Sequence, residues 1–205
     1  MTSEEHWNQV YRTKSPLEVS WYQPWPSVSL DLITLANLPP DAAIIDVGAG
    51  ASTLVDALLE RGCSAVTLLD LSTQALDVSR TRLGAGTTRV RFLTADALTA
   101  DLPEAGYRLW HDRAVFHFLT RTDDQARYVR QAHRALALGG FLVIGTFAPD
   151  GPNRCSGLEA RQYSAASLSA VFSPSFRTVE ARQQEHTTPR GQLQHFTSLL
   201  LQRQP

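Results

Sequence analysis

The stretch AIIDVGAGAST, residues 43–53, decides the fold. A short apolar run reaches an acid at Asp46, and Gly48 and Gly50 follow at alternate positions. A Ser-Thr pair then leads into a segment whose apolar residues recur with helical spacing. The pattern predicts a buried strand, a glycine turn and a helix. A turn of this kind usually lets a ligand approach bare backbone.

The same alternation of strand and helix continues along the chain. The predicted strands cover 43–47, 65–70, 89–96, 107–112 and 141–147. The first helix between them covers 52–61 and is capped by Ser52 or Thr53, and the second is capped by Ser72 and runs to Leu83. The third begins at a Thr122–Gln125 capping box and ends at Gly139-Gly140. This order predicts an α/β fold whose sheet is mostly parallel, with helices on both faces.

The two ends of the chain differ from this middle part. Two amphipathic helices precede residue 39, separated by a segment with three prolines that excludes continuous helix. The tail predicts a short helix and then two strands joined by a turn, which together form an antiparallel pair at the sheet edge. We therefore expect one domain over residues 1–205, with an N-terminal helical lid (1–38), a ligand-binding core (39–147) and a tail of loop, helix and antiparallel strands (148–205).

Composition excludes several classes of function. The 205 residues are 43% hydrophobic and carry a net charge of −1, without a Lys/Arg run, so we expect no nucleic-acid partner. No apolar stretch is long enough to span a bilayer, and the acidic start resembles no export signal, so a cytoplasmic protein is expected. Two cysteines and six scattered histidines predict neither a disulfide framework nor a metal site.

Three acids come at the ends of successive predicted strands. Asp46 precedes the glycine turn, Asp70 ends the second strand and Asp96 ends the third. Asp70 is placed to accept hydrogen bonds from two ribose hydroxyls, and Asp96 with Ala97 is placed beside an adenine. Each acid alone is more often a solvated strand end. Three together at one sheet edge favour a nucleotide ligand.

This set of residues resembles the class I S-adenosylmethionine-dependent methyltransferases, whose first motif matches DVGAG. The resemblance implies a Rossmann-like, seven-stranded methyltransferase sheet and S-adenosylmethionine as the cofactor. The implied cofactor-binding residues are Asp46, Gly48, Gly50, Asp70, Leu71, Asp96 and Ala97. One departure is Ser52, where the family often has a third glycine. The dinucleotide fingerprint fails, because Thr53 holds its last glycine position.

The N-terminal motifs HWNQVYR and SWYQ resemble the opening of small bacterial methyltransferases related to eukaryotic lysine methyltransferase-like proteins. Trp21 and Tyr22 are predicted to lie near this lid. They are placed either to wall the cofactor's sulfonium through cation–π attraction or simply to pack.

The segment WHDRAVFHFL, Trp110 to Leu119, ends the fourth strand where the methyl acceptor should lie. Asp112, Arg113 and His117 are the candidate catalytic residues. His117 is either a general base or a side chain packed among phenylalanines. Arg113 either binds an anionic acceptor or pairs with Asp112. His111 faces the other way and is interpreted as structural.

Two further residues lie in the tail. Cys155 stands in a Pro/Gly-rich loop and either contacts a soft acceptor or is incidental. His186 lies beside the turn between the last two strands and is a weaker candidate.

Three functional hypotheses remain open at this stage. The leading one is a methyltransferase acting on a small-molecule acceptor. The second is a protein lysine methyltransferase, although the NPPY-type motif of many amine-methylating enzymes is absent. The third is a non-catalytic nucleotide-binding module, which the three acids disfavour. The methylated atom and the oligomeric state cannot be read from the sequence.

Overall fold

A computed structural model describes residues 2–205. The main sheet contains seven strands in the order β3-β2-β1-β4-β5-β9-β8, and a separate hairpin pairs β6 with β7. The strands are β1 (Ile44–Val47), β2 (Val66–Asp70), β3 (Val90–Thr94), β4 (Tyr107–Arg113), β5 (Leu136–Phe147), β6 (Arg154–Cys155), β7 (Leu158–Glu159), β8 (Phe176–Thr187) and β9 (Leu193–Arg203).

Six α-helices cover the sheet. They are α1 (Ser3–Thr13), α2 (Ser27–Leu35), α3 (Leu54–Glu60), α4 (Thr73–Leu83), α5 (Thr122–Ala135) and α6 (Ala165–Phe172). Short 3₁₀ turns follow α4 and β4.

The sheet is parallel from β3 through β5, and the two strand pairings that follow are antiparallel. Strand β9 pairs antiparallel with both β5 and β8, so β8 runs in the same direction as the parallel strands. This arrangement confirms the predicted fold of a mostly parallel sheet closed by an antiparallel C-terminal pair. The carboxyl ends of β1, β2, β3 and β4 meet at one edge, where ligands bind in open α/β sheets.

Strand alternation divides the core into two layers. Trp110 of β4 packs in the layer that contains residues of α5 and α6, while its neighbour Leu109 packs in the layer that contains residues of α2 and α3. Asp112 therefore shares its face with Trp110. His111 and Arg113 point to the opposite face, under α2 and the N-terminal segment (residues 14–26).

The helix α1 lies over the start of α4. The hydroxyl of Ser72 donates to Asn8 Oδ1 at 2.8 Å and also caps α4, as predicted, by accepting from the amide of Ala75 at 3.1 Å. This contact holds α1 above the carboxyl ends of β1 and β2.

The start and end of α5 differ from the prediction. The predicted capping box of Thr122 and Gln125 is wrong, because Arg121 is the N-cap residue and makes no side-chain cap bond. The Gln125 amide instead donates to the carbonyl of Leu119 at 2.7 Å and to the Tyr163 hydroxyl at 3.0 Å. The helix also ends at Ala135 rather than at the glycine pair, which lies inside β5.

Candidate active site

The glycine turn after β1 is tightly covered. Gly48 and Gly50 have φ of +63° and +52°, a conformation that side chains rarely adopt. A Cβ atom on Gly48 would lie 1.9 Å from the side chain of Val115, and one on Gly50 would lie 2.4 Å from the Tyr11 hydroxyl. Both glycines are therefore required for the segments after β4 and in α1 to close over the turn.

Asp70 at the end of β2 is held by backbone donors. Its Oδ2 accepts from the amide of Gly50 at 2.8 Å, and its Oδ1 accepts from the amide of Ser72 at 2.7 Å. Burial raises the pKa of Asp70 to about 6, and the two amide bonds oppose that rise. Each carboxylate oxygen keeps a lone pair for a further donor, so the group can accept two hydroxyls at once.

A cavity of about 450 Å³ begins beside Asp70. One end is lined by Asp70, Leu71, Asp96, Ala97 and Leu98. The exposed Asp96 accepts from the amide of Leu98 at 2.8 Å, which fixes its carboxylate at the mouth. The volume falls in the range of small-ligand sites. This end brings together four of the predicted cofactor-binding residues.

The other end of the cavity has aromatic walls. Trp7 lies edge-on to Trp21, with ring centroids 5.7 Å apart, and to Phe118 at 5.3 Å. Tyr11 lies 6.4 Å from Trp21. Arg113 and Cys155 line the same end. Trp7, Tyr11 and Phe118 were not predicted as site residues, because no local signal shows that α1 meets the segment after β4.

Asp46 belongs to a buried relay of three side chains. Its Oδ1 lies 2.7 Å from His111 Nδ1, and His111 Nε2 lies 2.8 Å from the Ser29 hydroxyl. These residues line a small pocket beside Gly48. Asp46 Oδ2 is shielded from solvent and has no hydrogen-bond partner within residues 2–205. One acceptor of the relay is therefore free to meet a ligand.

These contacts extend the structural interpretation of His111, since it also lines this pocket and orients a predicted cofactor residue. Asp46 and His111 are directly paired in the register of β1 and β4, so their side chains leave the sheet on the same face.

Asp112 lies away from the cavity. It is fully buried and accepts from the amides of Val115 and Phe116 at 3.0 and 3.1 Å, and from the Tyr128 hydroxyl. Burial raises its pKa to about 6. These bonds make Asp112 a cap for the turn after β4. In the described chain it is not among the residues that line either cavity, so the predicted catalytic role finds no support in its placement.

Arg113 lies where the two cavities meet. Its Nη1 donates to the carbonyl of Trp21 at 2.8 Å, and its guanidinium lies 4.6 Å from the ring centroid of Phe196. It does not pair with Asp112, which points to the opposite face of β4. Burial lowers the pKa of Arg113 to about 10, so the group remains a cation at neutral pH.

His117 is fully buried. Its ring stacks on Phe147 at 4.5 Å and meets Phe118 edge-on at 4.4 Å. Neither ring nitrogen has a hydrogen-bond partner within the described part of the chain. Burial and the nearby Arg113 lower the pKa of His117 to about 3, which makes it neutral at pH 7. This geometry matches the packing alternative rather than a base that reaches an acceptor.

Two tail residues lie near Arg113. His186 Nε2 is 2.7 Å from the carbonyl of Ser20, so the imidazole donates to the N-terminal segment (residues 14–26). Cys155 is buried, and burial raises the pKa of its thiol to about 11. Cys155 lines the aromatic end of the larger cavity, whereas His186 is not among the residues that line either cavity.

No group of three or more metal-ligating side chains converges anywhere in residues 2–205. None of the helices formed by those residues combines the length and apolar character that crossing a bilayer requires.

The sequence is similar to known methyltransferases. The methyltransferase-domain family matches residues 44–140. An uncharacterized methyltransferase of Mycobacterium bovis is 30% identical over 127 residues, which cover 61% of this chain and 61% of the relative. Human EEF1A lysine methyltransferase 2 is 25% identical over 114 residues, covering 53% of this chain and 48% of that protein. The chain thus spans about half to three-fifths of these relatives' lengths.

Solved structures extend the similarity to the whole fold. One is a structure from work on the conversion of a disulfide bond into a thioacetal group during echinomycin biosynthesis. It superposes with a TM-score of 0.80 at 22% identity, and the match covers 99% of this chain and 94% of that chain. The 1,6-didemethyltoxoflavin-N1-methyltransferase of Burkholderia thailandensis, with its substrate and S-adenosylhomocysteine bound, superposes with a TM-score of 0.70 and 22% identity, covering 99% and 84%.

Proposed function

The chain belongs to the class I S-adenosylmethionine-dependent methyltransferase family, and we propose that its acceptor is a small molecule bound at the aromatic end of the cavity. It is a methyltransferase whose methyl donor is S-adenosylmethionine. One observation supports a small-molecule acceptor. The aromatic walls made by α1, the N-terminal segment and the turn after β4 leave an acceptor chamber, here called the acceptor end. It is continuous with the nucleotide end, which is the part of the cavity lined by Asp70, Leu71, Asp96, Ala97 and Leu98.

The residues at the nucleotide end fit the cofactor. We assign Asp70 to the ribose hydroxyls, because both of its oxygens are fixed by amides and can each accept once more. We assign Asp96 and Ala97, with the apolar Leu71, to the adenine. The free Oδ2 of Asp46 suits an ammonium group, and His111 and Ser29 would hold it in place.

The acceptor end supplies orientation rather than covalent chemistry. When bound, the cofactor carries an electrophilic methyl group on a sulfonium, so the protein need not provide a nucleophile. Trp7, Tyr11, Trp21 and Phe118 exclude water and present ring faces and edges to the reacting centre. Arg113 would orient the acceptor. Holding two reactants in line lowers a barrier by about 7–11 kcal/mol in favourable cases.

The experiment that tests this proposal follows the methyl group. The purified protein is incubated with methyl-labelled cofactor and an extract of the source cells, and small molecules are separated from protein by filtration. We expect label in the small-molecule fraction, and much less when Asp70→Asn protein replaces the wild type at a limiting cofactor concentration.

The similarity to a lysine methyltransferase over half of the chain motivates the alternative outcome. Label that enters only protein, and that is released as methyl-lysine on hydrolysis, would overturn the small-molecule proposal in favour of that second function.

A further inference from the structure

Arg113 keeps most of its hydrogen-bonding capacity unused inside the protein. Only Nη1 has a partner, the carbonyl of Trp21. Nε and Nη2 are shielded from solvent and meet no acceptor within residues 2–205. Burying a charged group without a partner is costly. An acceptor that arrives with a ligand would remove this cost.

The charge that would compensate Arg113 is not supplied by the described residues. No carboxylate in residues 2–205 forms an ion pair with Arg113. Asp112, its neighbour in sequence, points to the other face and caps the turn after β4. Asp46 is engaged by His111 instead. The guanidinium is therefore a cation at the junction of the two cavities without a fixed counter-charge.

The titratable side chains around Arg113 do not offset its positive charge. The pKa of His117 and that of His186 are both lowered, by burial and by Arg113 itself, so both imidazoles are neutral at pH 7. The thiol of Cys155 also stays protonated. On its other side, Arg113 packs on the ring of Phe196. A cationic acceptor would be repelled here, and an anionic one attracted.

The two unused donors lie next to each other on one edge of the guanidinium. The Nε–H and Nη2–H pair forms a planar fork whose spacing matches the two oxygens of a carboxylate. We infer that this free edge of Arg113 binds a carboxylate group of the methyl acceptor, so that the substrates are small carboxylic acids with an apolar body for the aromatic walls. This inference rests on the proposed function and narrows it.

The carboxylate on the cofactor's own methionine part would also fit this edge of Arg113. Two nucleosides distinguish the cofactor from the methyl acceptor as the source of the bound carboxylate. Binding of S-adenosylhomocysteine and of 5′-methylthioadenosine, which lacks the amino-acid part, is measured by calorimetry on Arg113→Gln protein. We expect both affinities to match the wild type. A loss of about tenfold or more for S-adenosylhomocysteine alone would assign the edge to the cofactor and overturn the inference.

The anion preference is tested directly with a matched pair of probes. Sodium benzoate and benzamide share size and ring but differ in charge, and each is titrated into protein saturated with S-adenosylhomocysteine. We expect wild type to bind benzoate at least about tenfold more tightly than benzamide, the factor expected for one charge-assisted hydrogen bond. Arg113→Gln should lose this preference, and Arg91→Gln, on an exposed position of β3, should keep it.

Equal binding of the two probes by wild type, or a preference that survives in Arg113→Gln, overturns the inference. Arg113→Lys guards against a folding effect, because lysine keeps the charge and one donor to the Trp21 carbonyl but lacks the fork. Its preference should fall between those of the wild type and Arg113→Gln.

The extract assay distinguishes this inference from the proposed function. The extract is passed over an anion exchanger at neutral pH before incubation with labelled cofactor. Acceptor activity retained on the column supports the inference. Small-molecule labelling confined to the flow-through overturns the carboxylate and leaves small-molecule methylation standing. Label in protein alone overturns the proposed function. The comparison of benzoate with benzamide then tests alone whether Arg113 binds a carboxylate.

Discussion

The nucleotide end and the acceptor end of the site differ in how their polar side chains are held. At the nucleotide end, both oxygens of Asp70 and one oxygen of Asp96 are fixed by backbone amides. At the acceptor end, Nε and Nη2 of Arg113 are shielded from solvent and lack partners within the described chain. Asp70 and Asp96 are therefore oriented before a ligand arrives, whereas the free edge of Arg113 has no partner until a ligand supplies one.

This difference follows from what each end must recognise. A nucleoside is the same in every reaction of the family, so its acceptors can be preorganised by short-range backbone bonds at the ends of β2 and β3. The acceptor is specific to each enzyme. The acceptor end of the site is built from side chains that stand far apart in sequence, such as Trp21, Arg113 and Phe196.

The largest effect is expected from breaking the relay beside the glycine turn. His111→Ala leaves the Asp46 carboxylate buried with neither oxygen paired, which should lower the free energy of unfolding by about 3 kcal/mol or more. Denaturant unfolding measures this loss.

The exposed pair of His195 and Asp150 is the matched control, because its atoms are 2.6 Å apart against 2.7 Å in the relay. His195→Ala should cost no more than about 1 kcal/mol. Equal costs for the two substitutions would contradict the view that the buried relay is a structural unit.

The next effect concerns the ribose acid. Asp70→Asn removes the charge and turns one oxygen into an NH₂ group that faces a backbone amide. Since hydrogen bonds to charged groups contribute about 1.5–3 kcal/mol each, the affinity for S-adenosylhomocysteine should fall at least about tenfold. Calorimetry measures it, with the exposed Asp77→Asn of α4 as the control. Undiminished affinity in folded Asp70→Asn protein would place the ribose elsewhere.

A smaller effect should appear with pH. Asp70 accepts ribose hydroxyls best as a carboxylate, and its pKa is about 6, so the affinity for S-adenosylhomocysteine should weaken as the pH falls below 6. Calorimetry at several pH values from 5 to about 7.5 tests this, and Asp70→Asn should flatten the profile.

The same raised pKa has the opposite sign for the stability of the ligand-free protein. Asp70 and Asp112 both keep their protons to a higher pH in the folded state, with pKa values of about 6, than in the unfolded state, where the value is 3.8. Their contribution is fully present below the unfolded value and is lost as the pH rises through 6. Thermal unfolding without ligand should show this loss, and a contribution that grows with pH would contradict it.

The smallest effect is expected at His117, although it was the predicted base. His117→Phe fills a similar volume and removes two ring nitrogens that have no partner in residues 2–205. Activity should stay within a fewfold of wild type, and stability should be equal or higher. A loss of about 10²–10⁴ in kcat with cofactor binding intact would instead restore the general-base hypothesis.

The sequence predicted the nucleotide end better than the acceptor end for a physical reason. Strand periodicity places Asp46, Asp70 and Asp96 at carboxyl ends, and the sheet order then brings them to one edge without further information. The partners of His111 and Arg113 depend on where α2 and the N-terminal segment cross the sheet. Local spacing does not encode that placement.

The errors within single elements have the same origin. Thr122 and Gln125 carry the spacing of a capping box, but the Gln125 amide finds two acceptors in the folded protein, Leu119 and Tyr163, and the helix begins without it. Tertiary contacts of this kind override a local pattern whenever they satisfy the same donors.

The two bonds that tie the N-terminal segment to the sheet set an order of assembly during synthesis. Arg113 donates to the carbonyl of Trp21, and His186 lies within hydrogen-bond distance of the carbonyl of Ser20, so the start of the chain is fastened by residues made 92 and 166 positions later. Every residue that lines the nucleotide end has been made by Leu98. The contacts that hold the N-terminal segment can therefore form only after the residues of the nucleotide end are present, and the later of the two only after the last hairpin has been made.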